Sequence, residues 1–131
     1  MGSRPAAELV RFVREVLGCG CPDEVVARTS VDVSDRGEPG LDVGGRLLVR
    51  VLCVDDLDDL TASLPETVKR FRDERDRRGF NRVRVVVPHD RMDLVVMALG
   101  QVVAVVGLGD DRLHIHVIPL SDVPAAVLGS R

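Results

Sequence analysis

Tryptophan and tyrosine are absent from the chain, and only three phenylalanines occur in 131 residues. Platforms on which bases or sugars stack are therefore almost missing, which weighs against single-stranded nucleic-acid binding. A basic excess is missing too: 18 Lys and Arg face 21 Asp and Glu, leaving a net charge of -3. Domains that track phosphate carry the opposite balance, so a nucleic-acid partner is not expected, although a local basic patch stays open. The longest apolar run, LVVMALGQVVAVVGL from Leu94 to Leu108, holds Gln101 and two glycines. It is too short for a bilayer span, and no membrane association is expected. A secretory signal is not visible either, because Met1–Arg4 leads straight into AAELVRFVREVLG. These absences point to the cytoplasm, where the three cysteines would rest as thiols rather than as a structural disulfide.

What is present is an ordinary soluble composition, 45% hydrophobic and 30% charged. A chain of this length fits a single domain that buries roughly two-thirds of its unfolded surface. With so few aromatics, its core must be Val and Leu.

The hydrophobic spacing divides the chain. Leu9, Phe12/Val13 and Val16/Leu17 recur at helical intervals after Pro5, and Gly18 suits a helix stop. A second short helix is expected from Pro22, with Asp23 and Glu24 in its first turn. Val31 and Val33 then alternate with polar neighbours, and SDRGEPG reads as a loop. RLLVRVLCV over Arg46–Val54 reads as a strand buried on both faces, pairing with the Val31 segment as a β-hairpin with a long connection.

Ser63-Leu64-Pro65-Glu66 matches a capping box and predicts a helix from there to Gly79. RVRVVV over Arg82–Val87 is a second strand, and Asp90 and Asp93 open a third helix through Leu99. Residues Gln101–Val106 could lengthen that helix, but their run of Val favours a strand turning at GLGDD into Leu113–Ile118. Leu113–Ile118 alternates, with Leu113, Ile115 and Val117 on one face and His114 and His116 on the other. The expected class is thus α/β: one domain over residues 1–131, a mixed or mostly parallel sheet with crossover helices. Two short N-terminal helices and a β-hairpin precede it.

Two places can carry chemistry. The first is the turn LGCGCPDE. With a helix starting at Pro22, Cys21 falls at its N-cap, where free N–H groups favour a thiolate, while Asp23 and Glu24 oppose that shift. Cys-Gly-Cys spacing is too tight for a relaxed disulfide, and a bond made across it would be easily reduced. A transition-metal site such as zinc needs about four ligands, and His114 and His116 would complete a set with Cys19 and Cys21 if the segments met. The plainer alternatives are a packed helix–helix turn for the cysteines and the solvated face of an edge strand for the histidines.

The second place is a sheet rim. Strands ending at Val54 and Val87 lead to Asp55 and Asp56 and to His89 and Asp90, which could hold a hard ion or run acid–base chemistry. Helix capping explains the same acidic residues. No glycine-rich phosphate loop follows any strand. KRFRDERDRRG over Lys69–Gly79 carries oppositely charged pairs four apart and reads as a self-paired, solvated helix face.

The segment FVREVLGCGCPDEVV resembles a motif of small uncharacterised prokaryotic proteins that carry GCGCP, two acidic residues and Val near the N-terminus. The resemblance rests on residues 16–26 and covers about the first quarter of the chain. It implies that the cysteine turn is a family hallmark, and it carries over no activity.

Three readings follow. The first is a thiol-dependent domain working through Cys19 and Cys21, by metal binding or redox cycling. The second is a non-catalytic module that pairs with another protein or forms a homo-oligomer through the apolar 94–108 segment. The third is a hydrolase or transferase built on the Asp55/Asp56/His89/Asp90 rim.

Overall fold

The Val- and Leu-rich strands assemble into one five-stranded sheet, ordered β1-β2-β3-β4-β5, in a computed structural model that describes residues 7–53, 56–106 and 111–128, the last six helical residues of the middle range by backbone alone. Strands β1 (Thr29–Val31), β2 (Gly40–Val43) and β3 (Leu47–Val51) form an antiparallel meander. Strands β4 (Arg82–Pro88) and β5 (Leu113–Ile118) then add in parallel to β3. The expected direct pairing of the Val31 segment with Arg46–Val54 does not form: β2 lies between them and hairpins with each. Gly40–Val43 reads as loop because it is short and flanked by Pro39, Gly44 and Gly45, yet its Leu41 and Val43 are fully buried.

Helix α3 (Leu57–Arg78) carries the crossover from β3 to β4, and α4 (Met92–Val106) that from β4 to β5. Leu60, Leu64, Val68 and Phe71 of α3 and Val95 and Leu99 of α4 pack on one sheet face, against Leu48, Val83, Val85, Val87 and Leu113. The opposite face carries Leu47, Val49, Val51, Val86 and Ile118. It is covered by α1 (Ala7–Arg11), the π-helical turn Phe12–Val16, α2 (Asp23–Val26) and the C-terminal α5 (Ala125–Leu128). All five residues of β3 are buried, as a strand covered on both sides requires.

Helix boundaries differ from the spacing argument in two places. The start of α3 is Leu57, capped by Asp56, whose side chain accepts from the Asp58 N–H at 2.9 Å. Ser63 lies inside the helix and donates to the Asp59 carbonyl instead of capping. Pro65 is therefore an interior proline, tolerated in a long helix whose apolar face is docked. Residues 101–106 continue α4 as helix rather than forming the strand their valine run favours, so β4 and β5 are joined by one long helix. Gly79 ends α3 in the left-handed region at φ 79°, as expected.

The charged stretch of α3 is not a self-paired surface. Only Glu74–Arg78 of the expected pairs forms; Arg70 instead grips Glu38 through two hydrogen bonds of 2.6 and 2.8 Å. Arg50, whose side chain is fully buried on β3, donates to both Glu74 oxygens at 3.0 and 2.6 Å. It also donates to the Asp32 carboxylate at 2.7 Å and the Asp32 carbonyl at 2.8 Å. Arg78 closes the cluster on Asp32 and Glu74, both at 2.9 Å. This ionic lock ties the meander to α3. Gly40 stands opposite Arg50 in the β2–β3 register, and a Cβ there would lie 1.9 Å from the Val49 carbonyl oxygen.

Candidate functional site

The chain leaves the π-helical turn through Leu17 and Gly18, and Gly18 adopts φ 67° to reverse direction. The Cys19 N–H donates to the Val13 carbonyl at 3.0 Å, which pins the start of the cysteine turn to the preceding helix. Pro22 occupies the N-cap of α2, so Cys21 lies one residue outside the cap position expected for it. Because α2 is a single turn of four residues, it supplies little dipole. Any thiolate here depends on other charges.

The Cys19 and Cys21 sulfurs lie at disulfide distance, with their Cα atoms 5.5 Å apart. Cys19 is buried in the core and Cys21 is half-buried, so the second sulfur is the more accessible one. The Cys21 N–H donates to Cys19 Sγ at 3.4 Å, which closes the turn on itself. Arg14 donates to the Cys19 carbonyl at 3.3 Å and pairs with Asp23 at 2.6 Å. The carboxylate expected to oppose a thiolate is thereby matched to a cation. Cys53 is a free, exposed thiol on the opposite rim of the sheet, beyond the end of β3.

Beside the turn is a cavity of about 360 Å³ lined by Cys19, Cys21, Arg46, Asn81, Arg82 and Arg84 among others, and no carboxylate contributes to its wall. Arg82 and Arg84, two apart on β4, point to the same sheet face as His114 and His116 on β5. Arg84 Nη1 donates to the Leu17 carbonyl and lies 2.9 Å from His116 Nε2, while Arg82 Nη1 lies 3.4 Å from His114 Nε2. Arg84 thus sits between the cysteine turn and the histidine strand. The sequence-level question of whether those segments meet is answered: they share one face, with arginines between them.

Electrostatics follow from that crowding. Burial, then the charge of Arg84 and of His114, holds His116 below the ordinary histidine range. A neutral ring can accept the Arg84 N–H through Nε2, which occupies the lone pair a metal would need. Burial, with the charge of Arg82, also holds Arg84 below its ordinary value. Its Nε is buried without a hydrogen-bond partner, and no described carboxylate pairs with Arg46, Arg82 or Arg84.

The Cys19/Cys21/His114/His116 metal set is not assembled. The sulfurs face each other, the imidazoles face arginines, and no group of three or more His, Cys, Asp or Glu among the described residues could hold a metal ion. The plainer reading of the histidines as a wholly solvated face is incomplete as well, since both are half-buried on the edge strand β5.

At the other end of the sheet, Asp55 lies outside the described residues. Asp56 caps α3, and His89 Nδ1 accepts from the Arg91 N–H at 2.8 Å, ahead of α4. Asp90 is exposed. Strands β3 and β4 are parallel neighbours, as the rim reading requires, but the strand order never reverses and both crossover helices lie on one face. The crevice that a topological switch point opens is therefore missing from this rim.

Arg14, Arg46, Asn81, Arg82 and Arg84 were not legible as site residues. The only sequence signal for them is that RVR and HIH each repeat a polar residue two apart, which aligns cations and imidazoles once β4 and β5 pair in register. No helix among the described residues is long and apolar enough to cross a membrane. Comparison with protein-family models, curated proteins and solved structures finds no match to this chain.

Proposed function

We propose that the protein is a thiol–disulfide exchange domain whose working pair is Cys19 and Cys21. The observation that carries this reading is the pair itself: two sulfurs within bonding distance, on a turn anchored at Leu17 and Pro22, at the wall of an accessible cavity. In the reduced protein the more accessible Cys21 loses its proton and attacks a substrate disulfide, forming a mixed disulfide. The displaced substrate thiolate takes up a proton. Cys19 then loses its proton, attacks Cys21 Sγ and releases the second substrate thiolate. Two electrons pass from the protein dithiol to the substrate disulfide, and a reverse exchange with an external dithiol resets the pair.

Arg14 on the Cys19 carbonyl and the Cys21 N–H on Cys19 Sγ hold the two cysteines together on the turn. A pair spaced this closely suits a reducing cytoplasm, where disulfides are transient and catalytic rather than structural. The test is equilibration of a Cys53→Ser variant in defined dithiothreitol buffers, followed by mass analysis for loss of two hydrogens. Reversible formation of an intramolecular disulfide, abolished by Cys21→Ser, is the expected result. Thiols that stay reduced across the whole buffer series overturn the reading.

A second reading, a protein-interaction module, has support from α4. Val96 is 55% and Met97 69% exposed there, beside Leu94 at 37%. Sedimentation of dilute protein checks it, and a monomer insensitive to Met97→Glu counts against it.

A further inference from the structure

The cavity beside the cysteine pair has a charge pattern that an exchange reaction alone does not require. Three guanidinium groups meet at its wall with one amide and no carboxylate. The protein as a whole is acidic, so this is a local reversal of sign. Around the meander three arginines are closely paired with carboxylates: Arg50 with Glu74 and Asp32, Arg70 with Glu38, Arg78 with both Asp32 and Glu74. At this wall Arg46 has no side-chain partner among the described residues, Arg82 reaches only His114, and the buried Arg84 Nε is left without an acceptor. The Arg84 guanidinium is held at Nη1 by the Leu17 carbonyl and His116, but its Nε–H is a buried donor without an acceptor, and such a donor is costly. Arg46 and Arg82 are exposed beside it and open to an anion. Guanidinium forks match carboxylate geometry through paired N–H donors. The cavity is adjacent to Cys21, and at about 360 Å³ it has room for a short charged molecule.

We infer that this groove selects small thiols and disulfides that carry carboxylates, holding the carboxylate on Arg46, Arg82 and Arg84 while the substrate sulfur meets Cys21. This rests on the exchange reading and names the substrate class for it. Neutral and cationic disulfides lack the anchoring group and react only at the rate of random encounter. Sites lined by one sign of charge raise encounter with the opposite sign by about tenfold or more, and the gain falls with salt.

Three disulfides test this: glutathione disulfide as the anionic probe, hydroxyethyl disulfide as the neutral one and cystamine as the cationic one. Oxidation of reduced Cys53→Ser protein is followed by stopped flow at low and high salt. The expected result is a preference of at least about tenfold for the anionic probe over the neutral one after correction for their rates with free dithiothreitol. That preference should collapse in Arg46→Ala/Arg82→Ala and return in part with Lys at both positions. Arg84 is left intact because it also holds Leu17. Equal corrected rates for all three probes overturn the inference and leave the exchange reading standing. No reaction with any probe instead sinks the exchange reading.

S-methylglutathione, which lacks a free thiol, separates the arms further. Its binding to Cys19→Ser/Cys21→Ser should be seen by calorimetry and lost with the two arginines. Absence of binding, or binding indifferent to the arginines, refutes the groove as a carboxylate site.

Discussion

Replacing Glu74 by Ala removes the main partner of a fully buried cation. Arg50 donates to Glu74 through two hydrogen bonds, at 3.0 and 2.6 Å, and its own side chain is entirely out of solvent. Two acceptors on Asp32 remain, so the guanidinium is left half-satisfied rather than bare. Breaking a buried pair from one side costs roughly 3–5 kcal/mol, because the surviving charge stays desolvated. The remaining Asp32 contacts put this case at the lower end, about 3 kcal/mol. Removing the cation instead should cost less. In Arg50→Met the apolar site is refilled, while Glu74 and Asp32 keep Arg78 at 2.9 Å and are themselves partly open to water. The assay is urea unfolding at neutral pH, with the slope checked for constancy so that a midpoint change reports stability. A loss of about 3 kcal/mol is a large share of the 5–15 kcal/mol typical of a domain, so the midpoint moves visibly. The reasoning is refuted if Glu74→Ala costs under about 1 kcal/mol, or if Arg50→Met is the more damaging change.

The same lock sets an acid limit. Burial would raise Asp32, Glu38 and Glu74, but hydrogen bonds and charge from Arg78, Arg50 and Arg70 outweigh it and hold all three below their ordinary values of 3.8, 4.5 and 4.5. Their contribution is complete above those values and is lost as pH falls through the lowered ones. His116 is also held below its ordinary 6.5, so below that value the unfolded chain takes up a proton that the folded one refuses, and stability is lost as pH falls toward the lowered value. Stability measured against pH should show an upper decline that His116→Gln flattens, with the lower decline unchanged. Gly40→Ala should cost more than about 3 kcal/mol, since its Cβ meets the Val49 carbonyl at 1.9 Å and the β2–β3 pair must open. Gly100→Ala in α4, with nothing within 4 Å, should instead gain about 0.5–1 kcal/mol in the same denaturation series. Pro65→Ala restores a helical N–H and should stabilise by about 1–2 kcal/mol, the lost stiffness of the unfolded chain offsetting part of the gain; an earlier urea midpoint contradicts it.

Strand and helix identities were legible where hydrophobic period dominates. RLLVRVLCV reads as a strand buried on both faces and RVRVVV as a second strand, and β3 and β4 are central with helices on either side. The meander strand Gly40–Val43 was not legible, because glycine at its first residue and at the turn behind it are loop signals locally. Both glycines are required by tertiary packing: one by the Val49 carbonyl, the other, Gly44 at φ 59°, by the closeness of Val25. The capping-box error at Ser63 has the same form. Asp56 caps better, and nothing local says that Pro65 is carried inside a helix whose face is already docked on the sheet.

The site divides along the same line. Cysteine proximity is a local property, and LGCGCPDE announces it. The cationic wall is a property of register, and no single segment contains it. Arg82 and Arg84 look like the polar alternates of an ordinary strand until β5 sets His114 opposite Arg84, Arg84 reaches diagonally to His116, and the turn presents the Leu17 carbonyl from the other side. The cysteine turn and the histidine strand, read as ligands of one metal, lie on one sheet face with Arg84 between them. An arginine inserted between a sulfur pair and an imidazole pair repels a divalent cation and attracts an anion. Substituting Arg84 by Met should for that reason weaken anion selection without creating a zinc site, since His116 Nε2 would be freed but the two sulfurs would still face each other. Zinc titration of the reduced Arg84→Met protein, read against the unaltered chain, measures this directly; tight zinc binding gained by that one change would show that the arginine, and not the sulfur geometry, is what keeps metal out.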